Sequence, residues 1–212
     1  MKTLLVSGCS VTHGSELFND FAHPNNVEFS FSRTLANQLS CDLLNVAMPA
    51  ASNGYIFHSL MREITATKNL HSVIAVWTTS GRLYWNTNGR HYFILGNFAS
   101  SMTDPVNFEM HDKNFQGCWF TGDSDEIVDK LASAHRFFVT DYFDLRRENE
   151  ELNHYKQSIS AICTIKNIPF ISLDWNDIRT GKWLEECRHP NKQEHLEIAN
   201  LIYKNFYHDI II

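Results

Sequence analysis

The chain has no dense block of lysine or arginine. Its 212 residues hold 18 Lys plus Arg against 24 Asp plus Glu, for a formal net charge of -6. Phosphate backbones are bound by clustered positive charge, so a nucleic-acid partner is not expected. There is no CxxC pair either. The five cysteines (Cys9, Cys41, Cys118, Cys163, Cys187) are scattered and odd in number. This argues against a disulfide framework and for reduced, buried thiols in a reducing compartment. A zinc site from Cys187, His189 and His195 lacks paired ligand spacing, so no metal is expected, and no organic cofactor is implied. No segment approaches the ~20 apolar residues of a membrane span. Val6-Ser7-Gly8-Cys9 has the look of a lipoprotein cleavage box. The apolar stretch before it is about four residues, against ~7–15 in a signal core. The expectation is a cytoplasmic protein without a membrane partner. A P-loop lysine and a GxGxxG run are also missing, which deprives a nucleotide-binding reading of its phosphate cradle.

Hydrophobic residues make up 43% of the chain and aromatics 13%, enough for a sizeable core. With no repeat, low-complexity tract or evident linker, residues 1–212 read as one domain. Lys2 to Ser7 reads as a first buried strand, Asp42 to Ala47 as a second, Ser72 to Thr78 as a third and Pro169 to Leu173 as a fourth. Between them lie helical patterns. Phe31, Leu35 and Leu39 mark a helix over Ser30 to Leu39, and Ile56, Leu60 and Ile64 mark another, capped by Ser52 or Asn53. Asp125 to Phe138 and about Asp144 to Asn167 are helical. In the second of these Leu145, Leu152, Tyr155, Ile159 and Ile162 keep the repeat. A last helix spans Asn191 to Phe206, opened by an Asn191/Glu194 capping box, with Leu196, Ala199, Ile202, Tyr203 and Phe206 inward.

Alternating strands and helices predict an α/β fold: a three-layer α/β/α sandwich around a mainly parallel, flavodoxin-like sheet. The strand ends at Gly8, Ala47, Thr78 and Leu173 then open onto one edge. The pattern breaks at about 81–124, an aromatic-rich insert with weak periodicity. Its Tyr84, Trp85, Tyr92, Phe93, Phe98, Phe108, Phe115, Trp119 and Phe120 suit core, with a few members lining a pocket; a lid or dimer contact is the other reading. The terminal Ile210-Ile211-Ile212 suits packing on the body or on a second copy, so a homo-oligomer stays among the expected partners.

The chemistry-bearing residues lie at the two ends. Gly8-Cys9-Ser10-Val11-Thr12-His13-Gly14 follows the first strand, and Glu186-Cys187-Arg188-His189-Pro190-Asn191 precedes the last helix. A serine hydroxyl becomes a nucleophile when a base takes its proton, and imidazole titrates in the right range. In order along the chain, these blocks resemble the SGNH (GDSL) hydrolases. The first matches G-D-S-x-T-x-G with Cys9 in place of Asp. Asn45-Val46-Ala47-Met48-Pro49-Ala50-Ala51-Ser52-Asn53 matches the second, with Ala50 in place of Gly. Thr78-Thr79-Ser80-Gly81 loosely echoes G-x-N-D. Glu186 to His189 matches D-x-x-H-P with Glu in place of Asp.

The resemblance implies a serine esterase acting on a small acyl ester, such as a carbohydrate O-acetyl group. Ser10 would be the nucleophile, His189 the base and Glu186 its orienter, with Asp174 and Asp177 in reserve. It assigns the oxyanion donors to Ser10, Ala50 and Ser80, where Thr78 or Thr79 is an alternative to Ser80. Cys9 reads as a small packed residue because it and Ser10 should point apart. His13 reads either as lining the site or as a solvated loop residue, and His195 as structural. The rival expectation is a catalytically degenerate module of the same fold that binds a ligand or assembles with a partner.

Overall fold

The structure is a computed structural model and describes residues 2–18, 23–49, 51–78, 83–87, 90–94, 144–178 and 189–207. Strand β1 (Thr3–Ser7) leads into the short helix α1 (Ser10–His13). A 3-10 turn (Pro24–Phe29) and helix α2 (Phe31–Gln38) follow, then β2 (Asp42–Asn45), α3 (Asn53–Ala66) and β3 (Leu70–Trp77). Next come β4 (Leu83–Thr87) and β5 (Arg90–Ile94). Helix α4 (Leu145–Ile165) leads into β6 (Phe170–Asp174), a 3-10 turn (Trp175–Ile178) and α5 (Lys192–Phe206).

Four strands pair in the order β2-β1-β3-β6, every pair parallel. The side chains of β1 and β3 alternate between two apolar layers, as strand geometry requires. Leu4, Val6, Ile74 and Val76 pack with Phe31 and Leu35 of α2 and with Ile198 and Ile202 of α5. Leu5, Val73, Ala75 and Trp77 pack on the other face with Ile56, Leu60 and Ile64 of α3 and Ile159 of α4. The expected three-layer sandwich with a parallel, flavodoxin-like sheet is therefore present. Both faces are covered, which is why the strands read as continuous apolar runs.

The helix starts follow local chemistry. Ser52 caps α3, its hydroxyl accepting from the Tyr55 amide. Asp144 caps α4 by accepting from Arg146 and Arg147. Asn191 and Glu194 form the reciprocal capping box at α5. The inward stripe of α5 differs from the expected one. Leu196 and Phe206 are exposed, while His195, Ile198, Ala199 and Ile202 are buried. The stripe is turned because His195 is drawn inward by a hydrogen bond to α2. The weakly periodic stretch also contains an antiparallel pairing, Leu83 with Ile94 through Thr87 with Arg90, that the periodicity did not reveal. Asn88-Gly89 between the two strands is the sequence signal for such a hairpin. The expected helix at Asp125 to Phe138, the rest of the insert and the terminal isoleucines lie outside the described residues.

Candidate active site

Ser10 is the first residue of α1, at the carboxyl end of β1. Sheet order changes direction at β1, which has β2 on one side and β3 on the other. The crevice beyond the carboxyl ends of β1 and β3 is where open α/β sheets place ligands. Ser10 is 9% exposed, so its side chain is largely covered but not sealed. Cys9 occupies the cap position of α1 and makes no side-chain capping hydrogen bond. It belongs instead to the apolar layer that holds Leu5 and Trp77, while Val11, inside the α1 turn, belongs to the opposite layer.

The glycines of this segment have specific reasons. A methyl group added to Gly8 would run into Thr12 Oγ1, so Gly8 leaves the room Thr12 needs to fold back over the turn. Gly14 ends α1 in the left-handed region at φ 80°, and its amide donates to the carbonyls of Ser10 and Val11. The second block is stitched onto the first. Met48 N donates to Gly8 O at 3.2 Å. Asn45 Nδ2 donates to Thr12 O at 2.9 Å and to Ser32 Oγ at 2.8 Å, while its Oδ1 accepts from Ala47 N. Asn53 joins the start of α3 to the end of β3. Its Nδ2 donates to Thr78 O at 3.1 Å, and its Oδ1 accepts from Thr78 N at 2.9 Å. The first block, the second block and the β3 end thus share one edge of the sheet.

His189 arrives from the far end of the chain. The capping box fixes where α5 begins, its cap residue Asn191 lying two residues after His189. One turn into α5, His195 Nδ1 accepts from Phe31 N at 3.1 Å, and the two rings stack with centroids 6.1 Å apart. This bond ties the start of α5 to the start of α2, beside the α1 turn. There His189 Nδ1 meets Glu16 Oε2 at 3.1 Å. Among the described residues, no hydrogen bond joins the Ser10 hydroxyl to His189. Glu16 was missed by the sequence reading, because nothing local marks an acid after a glycine turn as the partner of a residue 173 positions away. Of the other expected site residues, Glu186, Ala50 and Ser80 lie outside those described, as do Thr79 and Cys187. The reserve carboxylates are otherwise engaged. Asp174 Oδ1 pairs with Lys156 Nζ at 2.7 Å, and Asp177 Oδ2 accepts from Asp174 N at 2.7 Å.

Burial sets the character of the remaining groups. His13 is buried, contrary to a solvated loop position, and burial lowers its pKa. Burial lowers His195 to about 4, helped by the nearby His189 and opposed by Glu194. It is therefore a neutral imidazole with its proton on Nε2, since Nδ1 accepts. Cys9, Cys41 and Cys163 are free and buried. Burial pushes Cys41 up, and Cys163 up to about 11, which makes both poor nucleophiles. No group of His, Cys, Asp and Glu among the described residues could hold a metal ion. No described helix is long and apolar enough to cross a membrane.

No family model matches this sequence. No curated protein matches it. Solved structures do. A lipolytic protein of the G-D-S-L family from Desulfitobacterium hafniense DCB-2 is 15% identical with TM-score 0.40, covering 96% of this chain and 99% of its own. The psychrotrophic esterase EstA from Pseudoalteromonas sp. is 11% identical with TM-score 0.42, covering all of both chains. A family two carbohydrate esterase from Clostridium thermocellum is 13% identical with TM-score 0.42, covering 99% of this chain and 64% of its own. Scores and identities this low leave the fold assignment resting on the chain's own strand order. The solved structures to which this chain is similar are lipolytic proteins of the G-D-S-L family, the family its first block resembles, and esterases, carbohydrate esterases among them.

Proposed function

We propose that this chain is a serine esterase of the SGNH type that hydrolyses a small acyl ester, such as a carbohydrate O-acetyl group. The observation that carries the reading is the docking of His189 on the turn that begins with Ser10. The contact with Glu16 supports a reading in which an imidazole from one end of the chain serves the hydroxyl-bearing segment at the other.

In the proposed reaction His189 Nε2 takes the Ser10 hydroxyl proton while Oγ bonds to the acyl carbon. The carbonyl π electrons move onto oxygen. The Ser10 and Ala50 amides and the Ser80 side chain then donate to that oxyanion. Collapse restores the carbonyl, the ester C–O bond breaks, and the imidazolium returns its proton to the departing alkoxide. Water, deprotonated by the same imidazole, cleaves the acyl-enzyme. Glu186 is the orienter implied by the family pattern. The reading includes a single domain over 1–212, a cytoplasmic setting consistent with the free thiols, and a small-molecule or glycan ester as partner.

Hydrolysis of a short-chain chromogenic ester by wild type and Ser10→Ala tests it. Loss of about 10³-fold or more in kcat is expected. A fluorophosphonate probe should label wild type and not Ser10→Ala. Equal rates in the two proteins would remove Ser10 from the chemistry. Retention of glycan without labelling would favour the rival, a degenerate binding module.

A further inference from the structure

We propose that Glu16 is a positioning residue of this site: its carboxylate holds His189 in the tautomer and orientation a general base needs. The inference rests on the esterase reading above and adds a residue that the family pattern does not supply. The contact joins Glu16 Oε2 to His189 Nδ1 at 3.1 Å. A carboxylate oxygen only accepts, so Nδ1 must carry the hydrogen. In a neutral imidazole the lone pair then lies on Nε2, the nitrogen that has to receive the serine proton.

The backbone supports the assignment independently of the contact. Glu16 has φ 72°, a left-handed conformation unusual for a residue with a side chain. Such strain persists where surrounding structure over-determines it, and it clusters at functional sites. Here the turn is held by the Gly14 and Ser15 amides on Ser10 O and by Leu17 N on Gly14 O. Nucleophile and carboxylate are therefore mounted on one short turn, and the imidazole is delivered to it by α5. Stability alone does not account for the contact: the side chains are 24% and 54% exposed, and a hydrogen bond open to solvent contributes little. The carboxylates after β6 are held by Lys156 and by the Asp174 amide.

The test is Glu16→Gln, which keeps the shape and removes the charge, measured beside Glu16→Asp and Glu186→Gln. Steady-state hydrolysis of a short-chain ester should show kcat lowered by about 10²–10⁴-fold with KM little changed. Glu16→Asp should restore part of kcat, and the loss in Glu16→Gln should exceed that in Glu186→Gln. Nitrogen-15 NMR of His189 supplies a readout that a purely structural role would not move. The hydrogen should reside on Nδ1 in wild type and shift toward Nε2 in Glu16→Gln. Wild-type kcat and an unchanged tautomer in Glu16→Gln would overturn the proposal, as would a loss confined to Glu186→Gln. If Ser10→Ala were as active as wild type, the esterase reading would fall and take this role with it. If Ser10→Ala is inactive and Glu16→Gln alone is silent, only the role of Glu16 falls.

Discussion

His195 is a histidine used for its lone pair. It occupies a position on α5 that an apolar residue would ordinarily fill, and its Nδ1 receives the first amide of α2. That amide is one of the donors a helix start leaves without an intrahelical partner. Burial holds the imidazole at about 4 against 6.5 in the unfolded chain. Between those values the unfolded chain binds a proton that the folded one refuses. The contribution to stability is thus complete above about pH 6.5 and is lost as pH falls toward 4. A shift of this size corresponds to on the order of 3 kcal/mol. Urea midpoints should fall across this window in wild type. His195→Asn, which keeps an acceptor near Nδ1 and does not titrate there, should show a flatter dependence. Equal slopes in the two proteins would mean that another group dominates.

At the scale of the element, the start of α5 does two jobs. Its capping box satisfies two backbone donors, and it also determines where His189 enters the sheet edge. Asn191→Ala should cost about 1 kcal/mol of stability, the usual value for a lost cap. Asp144→Ala, which removes the cap of α4 on the other layer, should cost a similar amount. Only the first is expected to slow ester hydrolysis at a temperature where both proteins are folded. Matched losses of activity would show that the α5 start does not set the geometry of the base. The two caps also differ in what their sequences reveal. Asn191-x-x-Glu194 announces a capping box. Its link to the α1 turn depends on His195 reaching Phe31, which no local pattern encodes.

At the scale of the molecule, β1 is the common wall of two apolar layers. Leu4 faces α2 and α5, Leu5 faces α3 and α4, and both are wholly buried. Leu4→Ala and Leu5→Ala should each lower the free energy of unfolding by about 2–5 kcal/mol, measured by urea titration. A large cost from one and a negligible cost from the other would mean that one face of the sheet is not closed.

Much of this fold was legible because burial on both faces of a parallel strand leaves an unbroken apolar run, as in Ser72 to Trp77. Stripes such as Ile56, Leu60 and Ile64 were equally plain, since helical spacing and a single apolar face coincide there. The phase of α5 was not, because an imidazole counted as polar turned out to be the group that anchors the helix. The hairpin of β4 and β5 escaped because its signal is a turn dipeptide and not a period. By itself the sequence determined the four parallel strands and the helices between them that are described, the Ser52 and Asn191 caps and the Gly8 turn after β1, all of which depend on neighbours along the chain. Only the tertiary structure decided that His189 meets Glu16, and that Asn53 clasps the end of β3. Contacts between distant segments are set by the closing of helices onto a sheet, and no local propensity contains that information.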